Sequence, residues 1–353
     1  METISEAKNS PGMGGISPND SQTGEKLLKQ IFDGSWMTQA IWVAAALGIA
    51  DILEDGPCSV ESLADKTGTH SNALYRVLRA LASVGIFVQE QDGRFSLTPS
   101  AGLLRSNIPG SQRSFAIMMG AEFHEAWGEL LHSVRTGEPG WQKRFGMPAF
   151  QYMVQHPDRH SIYDSAMGGY GRAEGGAMLD AYDFSVFRTV IDVGGGSGML
   201  LAAILKQYPD LKGILFDLPP VVDRARASIS EAGLSERCRV VGGDFFSPVP
   251  AGADIYIMQH IIHDWEDTDA ISILTNCREA MNSDSRILLI ESVIPRRNEP
   301  CFGKWLDLMM LLVGGRERTE DEYRQLFSAA GLTLNRVIPT MSEVSIIEGM
   351  RVF

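Results

Sequence analysis

The chain has 353 residues, 44% of them hydrophobic and 21% charged, which gives room for two domains and the composition of an ordinary globular protein. A net charge of −13 at pH 7 argues against nucleic acid as the main partner, and no run of about 18 apolar residues is present to span a membrane. Cys58, Cys238, Cys277 and Cys301 are scattered without a C-x-x-C pair, so neither a disulfide framework nor a zinc site is indicated, and reduced thiols in a cytoplasmic protein are expected.

Residues 1–24 are rich in Gly, Pro, Ser and Asn, lack a basic start and an apolar core, and read as a disordered tail. Residues 25–107 read as a small helical domain. Leu74, Val77, Leu78, Leu81 and Val84 recur at helical spacing, and Gly85 stops that helix. Phe87-Val88-Gln89 and Arg94-Phe95-Ser96-Leu97 flank a turn at Gln91-Asp92-Gly93 and predict a hairpin. Helices followed by a hairpin are winged-helix-like. A DNA-binding role would need a basic recognition helix, and 71–84 offers only Arg76 and Arg79. A dimerisation or lid role fits the charge better.

Residues 108–185 read as a mostly helical linker carrying Phe115, Met118, Met119, Phe123, Trp127, Phe145, Met147, Phe150, Met153 and Met167. Such side chains build cores, and they also line adaptable pockets for flat organic ligands. Residues 186–353 alternate strand and helix. Strands are predicted at 189–193, 213–216, 238–242, 254–259 and 286–291, with helices such as 269–281 between them. A helix near 320–330 precedes strands near 333–338 and 343–349.

The first of these strands runs into Gly194, Gly195, Gly196 and Gly198, four glycines in five positions. G-x-G-x-x-G fails in both registers, because the sixth positions are Met199 and Leu201, and no Walker lysine follows. The shorter loop suits a nucleoside with an amino-acid tail. Asp217 ends the second strand, where a carboxylate can accept from ribose hydroxyls, although an exposed loop aspartate would look the same. After the third strand, Asp244 can accept from an adenine amino group and Phe245 can pack on the ring. These signals stand at the carboxyl ends of successive strands, where open α/β sheets bind ligands.

His260 and His263 follow the fourth strand. The first sits where an imidazole can simply pack. The second lies at the mouth of the sheet, and a loop histidine satisfied by backbone is its plain alternative. Glu291 ends the fifth strand. Glu317 lies in Gly314-Gly315-Arg316-Glu317-Arg318-Thr319, where it could also be a helix-start charge or a partner of Arg316 or Arg318. The sequence carries neither H-E-x-x-H nor an evident grouping of carboxylates with histidine, so no metal is expected.

Asp192-Val193-Gly194-Gly195-Gly196-Ser197-Gly198, Phe216-Asp217-Leu218-Pro219, Gly243-Asp244-Phe245-Phe246, His263-Asp264-Trp265 and the segment 314–319 together resemble the plant-type and bacterial small-molecule O-methyltransferases that use S-adenosylmethionine. The resemblance runs in order from about residue 30 to the end. It implies a C-terminal Rossmann-like class I methyltransferase domain behind an N-terminal winged-helix-like dimerisation domain, and a homodimer. It also implies cofactor contacts from Asp192, Gly194, Gly196, Asp217, Leu218, Gly243, Asp244 and Phe245. Gln259 stands where plant members commonly carry lysine near the cofactor. His263 is implied as the general base, flanked by Glu291 and Glu317. His124, Trp127, Met167, Asp264, Asp307 and Met310 are the candidate residues around a flat aromatic acceptor.

Overall fold

A computed structural model of the chain describes residues 21–352. The tail expected over 1–24 lies outside the described residues up to position 20, and positions 21–24 open a helix instead. The fold divides into two compact units, Met1–Ala121 with Asn298–Pro300, and Glu122–Arg297 with Cys301–Phe353, so the helical stretch 108–185 is shared between them.

In the first unit, α1 (Ser21–Ala46) leads through short helices to α2 (Ser71–Ser83) and a hairpin pairing Phe87–Gln89 with Phe95–Leu97. Leu74, Leu78 and Leu81 of α2 face one core with Ile49, Leu53, Leu63, Phe87 and Phe95. Each such side chain contributes about 1.5–3 kcal/mol on burial. The apolar face stops one turn earlier than its spacing predicted: the helix ends at Ser83, and Val84, in the C-cap position, is half exposed. Along α1, Leu28, Ile31, Phe32 and Trp36 form an exposed apolar stripe at helical spacing.

The second unit is built on a seven-stranded sheet. Its strands in chain order are β1 (Thr189–Val193), β2 (Lys212–Asp217), β3 (Cys238–Gly242), β4 (Ile255–Gln259), β5 (Arg286–Glu291), β6 (Leu332–Pro339) and β7 (Ser345–Arg351). Their spatial order is β6-β7-β5-β4-β1-β2-β3, parallel from β5 to β3, with β7 antiparallel to both β5 and β6. All seven fall where the sequence pattern expected them, within about two residues. Alternate residues feed opposite faces. Ile191, Tyr256, Met258, Ile287 and Leu289 enter one core, and Val190, Ile255, Ile257, Leu288 and Ile290 the other. Helices cover both faces, which explains the near-continuous apolar strands. The strand order reverses between β1 and β4, the switch point at which open sheets of this kind bind ligands.

All four cysteines are free thiols, and no helix among the described residues is long and apolar enough to cross a membrane.

Candidate active site

The glycine loop turns sharply out of β1. Gly194 has φ +75°, and a Cβ there would meet Ile261 Cδ1 at 2.5 Å, so a side chain is refused by both backbone and neighbours. Gly196 faces open space. Its N–H donates to Asp217 Oδ2 at 2.8 Å, and the Leu218 N–H donates to Oδ1 at 2.6 Å, so the carboxylate at the end of β2 is fixed against the loop. A carboxylate has about four lone-pair sites, so acceptance from further donors remains open to it. Asp192 is buried behind the loop with Oδ2 unpartnered, and burial together with the charge of Asp217 pushes its carboxyl up to about 7. Asp244, exposed after β3, accepts from the Phe246 N–H at 2.9 Å. Phe245 stands 3.7 Å from the Cβ position of Gly194 and edge-on to Trp265 at 5.9 Å. A loop that refuses a Cβ at Gly194 and is open at Gly196, an orphaned buried carboxylate oxygen and an aromatic flank fit a nucleoside cofactor with a charged tail.

Beside this loop the chain after β4 makes a single 3-10 turn, Ile262–Asp264, which carries His263. Glu291, fully buried at the end of β5, accepts from the N–H groups of Ile261 and Ile262 at 3.1 and 2.9 Å through Oε1. His263 Nδ1 donates to Glu317 Oε1 at 2.6 Å and lies 3.6 Å from Glu291 Oε2. Nε2 lies 3.5 Å from Asp264 Oδ1. Burial works against the imidazolium, but Glu291, Asp264 and Glu317 outweigh it and push His263 up to about 10. Burial in turn raises the Glu291 and Asp264 carboxyls.

Glu317 does not pair with either neighbouring arginine. Arg316 reaches Asp267 and Glu322, and its backbone N–H donates to the His263 carbonyl at 2.8 Å. Arg318 is fully buried, and its guanidinium donates to the carbonyls of Ile262 and Trp265 at 3.0 and 2.7 Å and to Asp267. One guanidinium thus clamps both sides of the His263 turn. Gly315 lies so close that a Cβ would sit 2.1 Å from the His263 carbonyl oxygen. None of these backbone duties of Gly315 and Arg318 could be foreseen from residue type. The only sequence signal was their place in the 314–319 motif.

His260 does more than pack. It has φ +52°, a left-handed conformation rare outside glycine, and its Nε2 bonds Glu174 Oε2 at 2.7 Å. The same oxygen accepts from Gln259 Nε2 at 2.9 Å. Glu174, nearly fully buried on α3 (Pro157–Ala181), was not foreseen, because nothing in its local sequence separates it from a surface charge. The fold also corrects the expectation that histidines and carboxylates are not grouped: His260, His263 and Glu291 bring ligand-type atoms within 4.8 Å of one another.

The acceptor candidates divide. Asp264 stands beside His263. Asp307, on α4 (Gly303–Val313), accepts from the Glu317 backbone N–H at 2.9 Å and so fixes the segment that carries Glu317, and Met310 is buried on the same helix. His124 is exposed on Glu122–Trp127; Trp127 and Met167 are partly buried; and among the described residues no hydrogen bond or ion pair joins these three to His263. Phe123 packs edge-on against the fully buried Trp141 at 5.1 Å, a core role. The clefts of about 550 and 420 Å³ are lined by Tyr182, Arg286 and Arg336 and by Thr189, Lys212 and Arg237, so both lie away from the strand ends that carry the site.

Comparison with known proteins adds three findings. An O-methyltransferase domain matches residues 127–333, and an O-methyltransferase dimerisation domain matches residues 29–107. The phenazine O-methyltransferase of Lysobacter antibioticus is 49% identical over 323 residues, covering 91% of this chain and 95% of its own, and the phenazine-1-carboxylate N-methyltransferase of Pseudomonas aeruginosa is 32% identical over 336 residues, covering 94% and 99%. An O-methyltransferase from neocarzinostatin biosynthesis, solved with S-adenosylmethionine and 2-hydroxy-5-methyl naphthoic acid, aligns with a TM-score of 0.80 at 34% identity over 89% of this chain and 96% of that one.

Proposed function

Because the chain belongs to the S-adenosylmethionine-dependent O-methyltransferase family of bacterial secondary metabolism, we propose that it methylates a phenolic hydroxyl of a small aromatic metabolite with His263 as general base. The observation that carries this reading is the His263–Glu317 hydrogen bond of 2.6 Å, which fixes the proton on Nδ1 and turns Nε2 away from it.

S-adenosylmethionine supplies, when bound, a methyl group on a positively charged sulfur. Asp192, Gly194, Gly196, Asp217, Leu218, Gly243, Asp244, Phe245 and Gln259 are the residues that would hold it. A neutral phenol with a pKa of about 10 is a poor nucleophile, and a base that takes its proton as the new bond forms is worth about 10²–10⁴-fold. His263 Nε2 receives that proton, while Glu317 and Glu291 stabilise the resulting imidazolium from the Nδ1 side. Burial keeps water from competing for the acceptor, and most of the remaining rate comes from holding the hydroxyl in line. His263 must lose its proton before it can act, so the group pushed up to about 10 governs the rising limb of the rate against pH.

The dimerisation match over 29–107 and the exposed stripe Leu28, Ile31, Phe32 and Trp36 support a homodimer. A second reading, N-methylation, is favoured by the Pseudomonas relative. An amine with a free lone pair needs no proton acceptor, so one experiment separates the two. Wild-type and His263→Ala protein are given S-adenosylmethionine with 1-hydroxyphenazine, phenazine-1-carboxylate and 1,4-dihydroxy-2-naphthoic acid, and the methyl position is read by mass spectrometry and NMR. O-methylated product that falls about 10²–10⁴-fold in the variant is expected. A methyl on nitrogen, or undiminished turnover by the variant, removes the general-base assignment.

A further inference from the structure

We propose that His260, gripped by Glu174, acts on the reaction through His263: it holds a positive charge that keeps the neighbouring imidazole able to accept a proton. The inference rests on the reading of His263 as the base, and the geometry assigns the two histidines different tasks. Both nitrogens of His260 face carboxylates, Nε2 on Glu174 at 2.7 Å and Nδ1 towards Glu291 Oε2 at 3.7 Å. A ring with an acid at each nitrogen is held doubly protonated. His263 has its acids Glu317 and Glu291 on the Nδ1 side, and its Nε2 is left for the acceptor beside Asp264.

The two rings lie 5.0 Å apart between centroids and share Glu291 between them. Like charges at that separation oppose one another. A charged His260 therefore makes a proton on His263 easier to lose, against the pull of Glu291, Glu317 and Asp264. The other charged and titratable neighbours are fixed in other roles, among them Tyr163 on α3, whose hydroxyl is kept protonated by burial and by Asp264. Asp307 holds the Glu317 backbone, Arg318 is spent on carbonyls and Asp267, and the buried Tyr323 hydroxyl stays protonated, its ionisation disfavoured by burial and by Glu291 and Glu317. The His260 backbone supports the same assignment. A left-handed φ of +52° in a non-glycine residue is retained only where the surroundings impose it, and here it delivers the ring to the gap between two acids. The two atoms that face across that gap, His260 Nδ1 and Glu291 Oε2, are both buried without hydrogen-bond partners.

The test is a ¹⁵N-histidine NMR titration of the full chain with S-adenosylhomocysteine, the His263 resonance being assigned by its loss in His263→Asn. Asparagine tolerates the left-handed backbone, so His260→Asn removes the charge and keeps the turn. The His263 midpoint is expected to rise by about one pH unit in that variant, and an unmoved or lowered midpoint overturns the proposal. In Glu174→Gln protein the His260 midpoint is expected to fall, and no change there overturns the grip even if His260→Asn fails to fold. Turnover of 1-hydroxyphenazine by His260→Asn should drop about tenfold at pH 7 and approach the wild-type rate only as the pH rises through the raised His263 midpoint. A loss that is uniform across pH marks a merely structural residue and overturns it as well. The titration needs no acceptor, so it separates failure of this inference from failure of the general-base reading, which the His263→Ala product assay decides.

Discussion

The two halves of the proposed site, one for the cofactor and one for catalysis, are built by different means. The cofactor half takes one short motif from each of β1, β2 and β3, and its side chains and amides answer neighbours one loop away, such as Gly196 N–H on Asp217. The catalytic half gathers residues from α3, β4, β5 and the segment before the last helix, and its key bonds join positions such as Ile262 with Glu291 and His263 with Glu317. The first half is a property of strand ends. The second is a property of packing, and it depends on backbone fit as much as on reactive groups.

That contrast can be broken most directly at Gly315. Gly315→Ala places a methyl 2.1 Å from the His263 carbonyl oxygen, with Asp264 backbone atoms at 2.9–3.0 Å, so the turn must move. A loss of about 10²-fold or more in kcat is expected, with S-adenosylhomocysteine affinity by calorimetry nearly unchanged. A large loss of cofactor affinity would show that the halves are not separable. Glu317→Gln should cost about 10–10²-fold in kcat, because an amide no longer fixes the Nδ1 proton. Its pH signature has a definite sign: Glu317 holds the proton on His263, so its neutralisation lowers the His263 midpoint and moves the rising limb of kcat/KM to lower pH, opposite to His260→Asn. A limb that stays put would remove Glu317 from the charge balance. Asp217→Asn should act on the other half alone, raising the KM for S-adenosylmethionine about tenfold with kcat within about threefold, checked by initial rates at saturating acceptor.

The proposed cofactor half was legible in the sequence because glycines, a strand-end aspartate and an aromatic after the third strand lie within a few residues of a recognisable strand. The sequence pointed to His263, Glu291 and Glu317 through motif order rather than through chemistry, since each alone reads as an ordinary loop or helix-start residue, and the fold brings the three together. It missed Glu174 and the clamp by Arg318. A glutamate in the middle of a helix and an arginine beside a glutamate carry no local mark of burial, and only their partners, at Gln259 and His260 and at the Ile262 and Trp265 carbonyls, reveal their work. His124, Trp127 and Met167 were chosen on residue type, and type does not say which side of a helix faces a ligand.

Near-continuous apolar runs along β1 to β5, separated by helical segments and with glycine at the first turn, determined by themselves a doubly covered parallel sheet and the edge at which the proposed cofactor site stands, because period and backbone freedom are local properties. Which acid meets which imidazole was decided only by tertiary structure. Charges separated by scores of residues acquire a common protonation state only once packing excludes water and brings them within a few ångströms of one another.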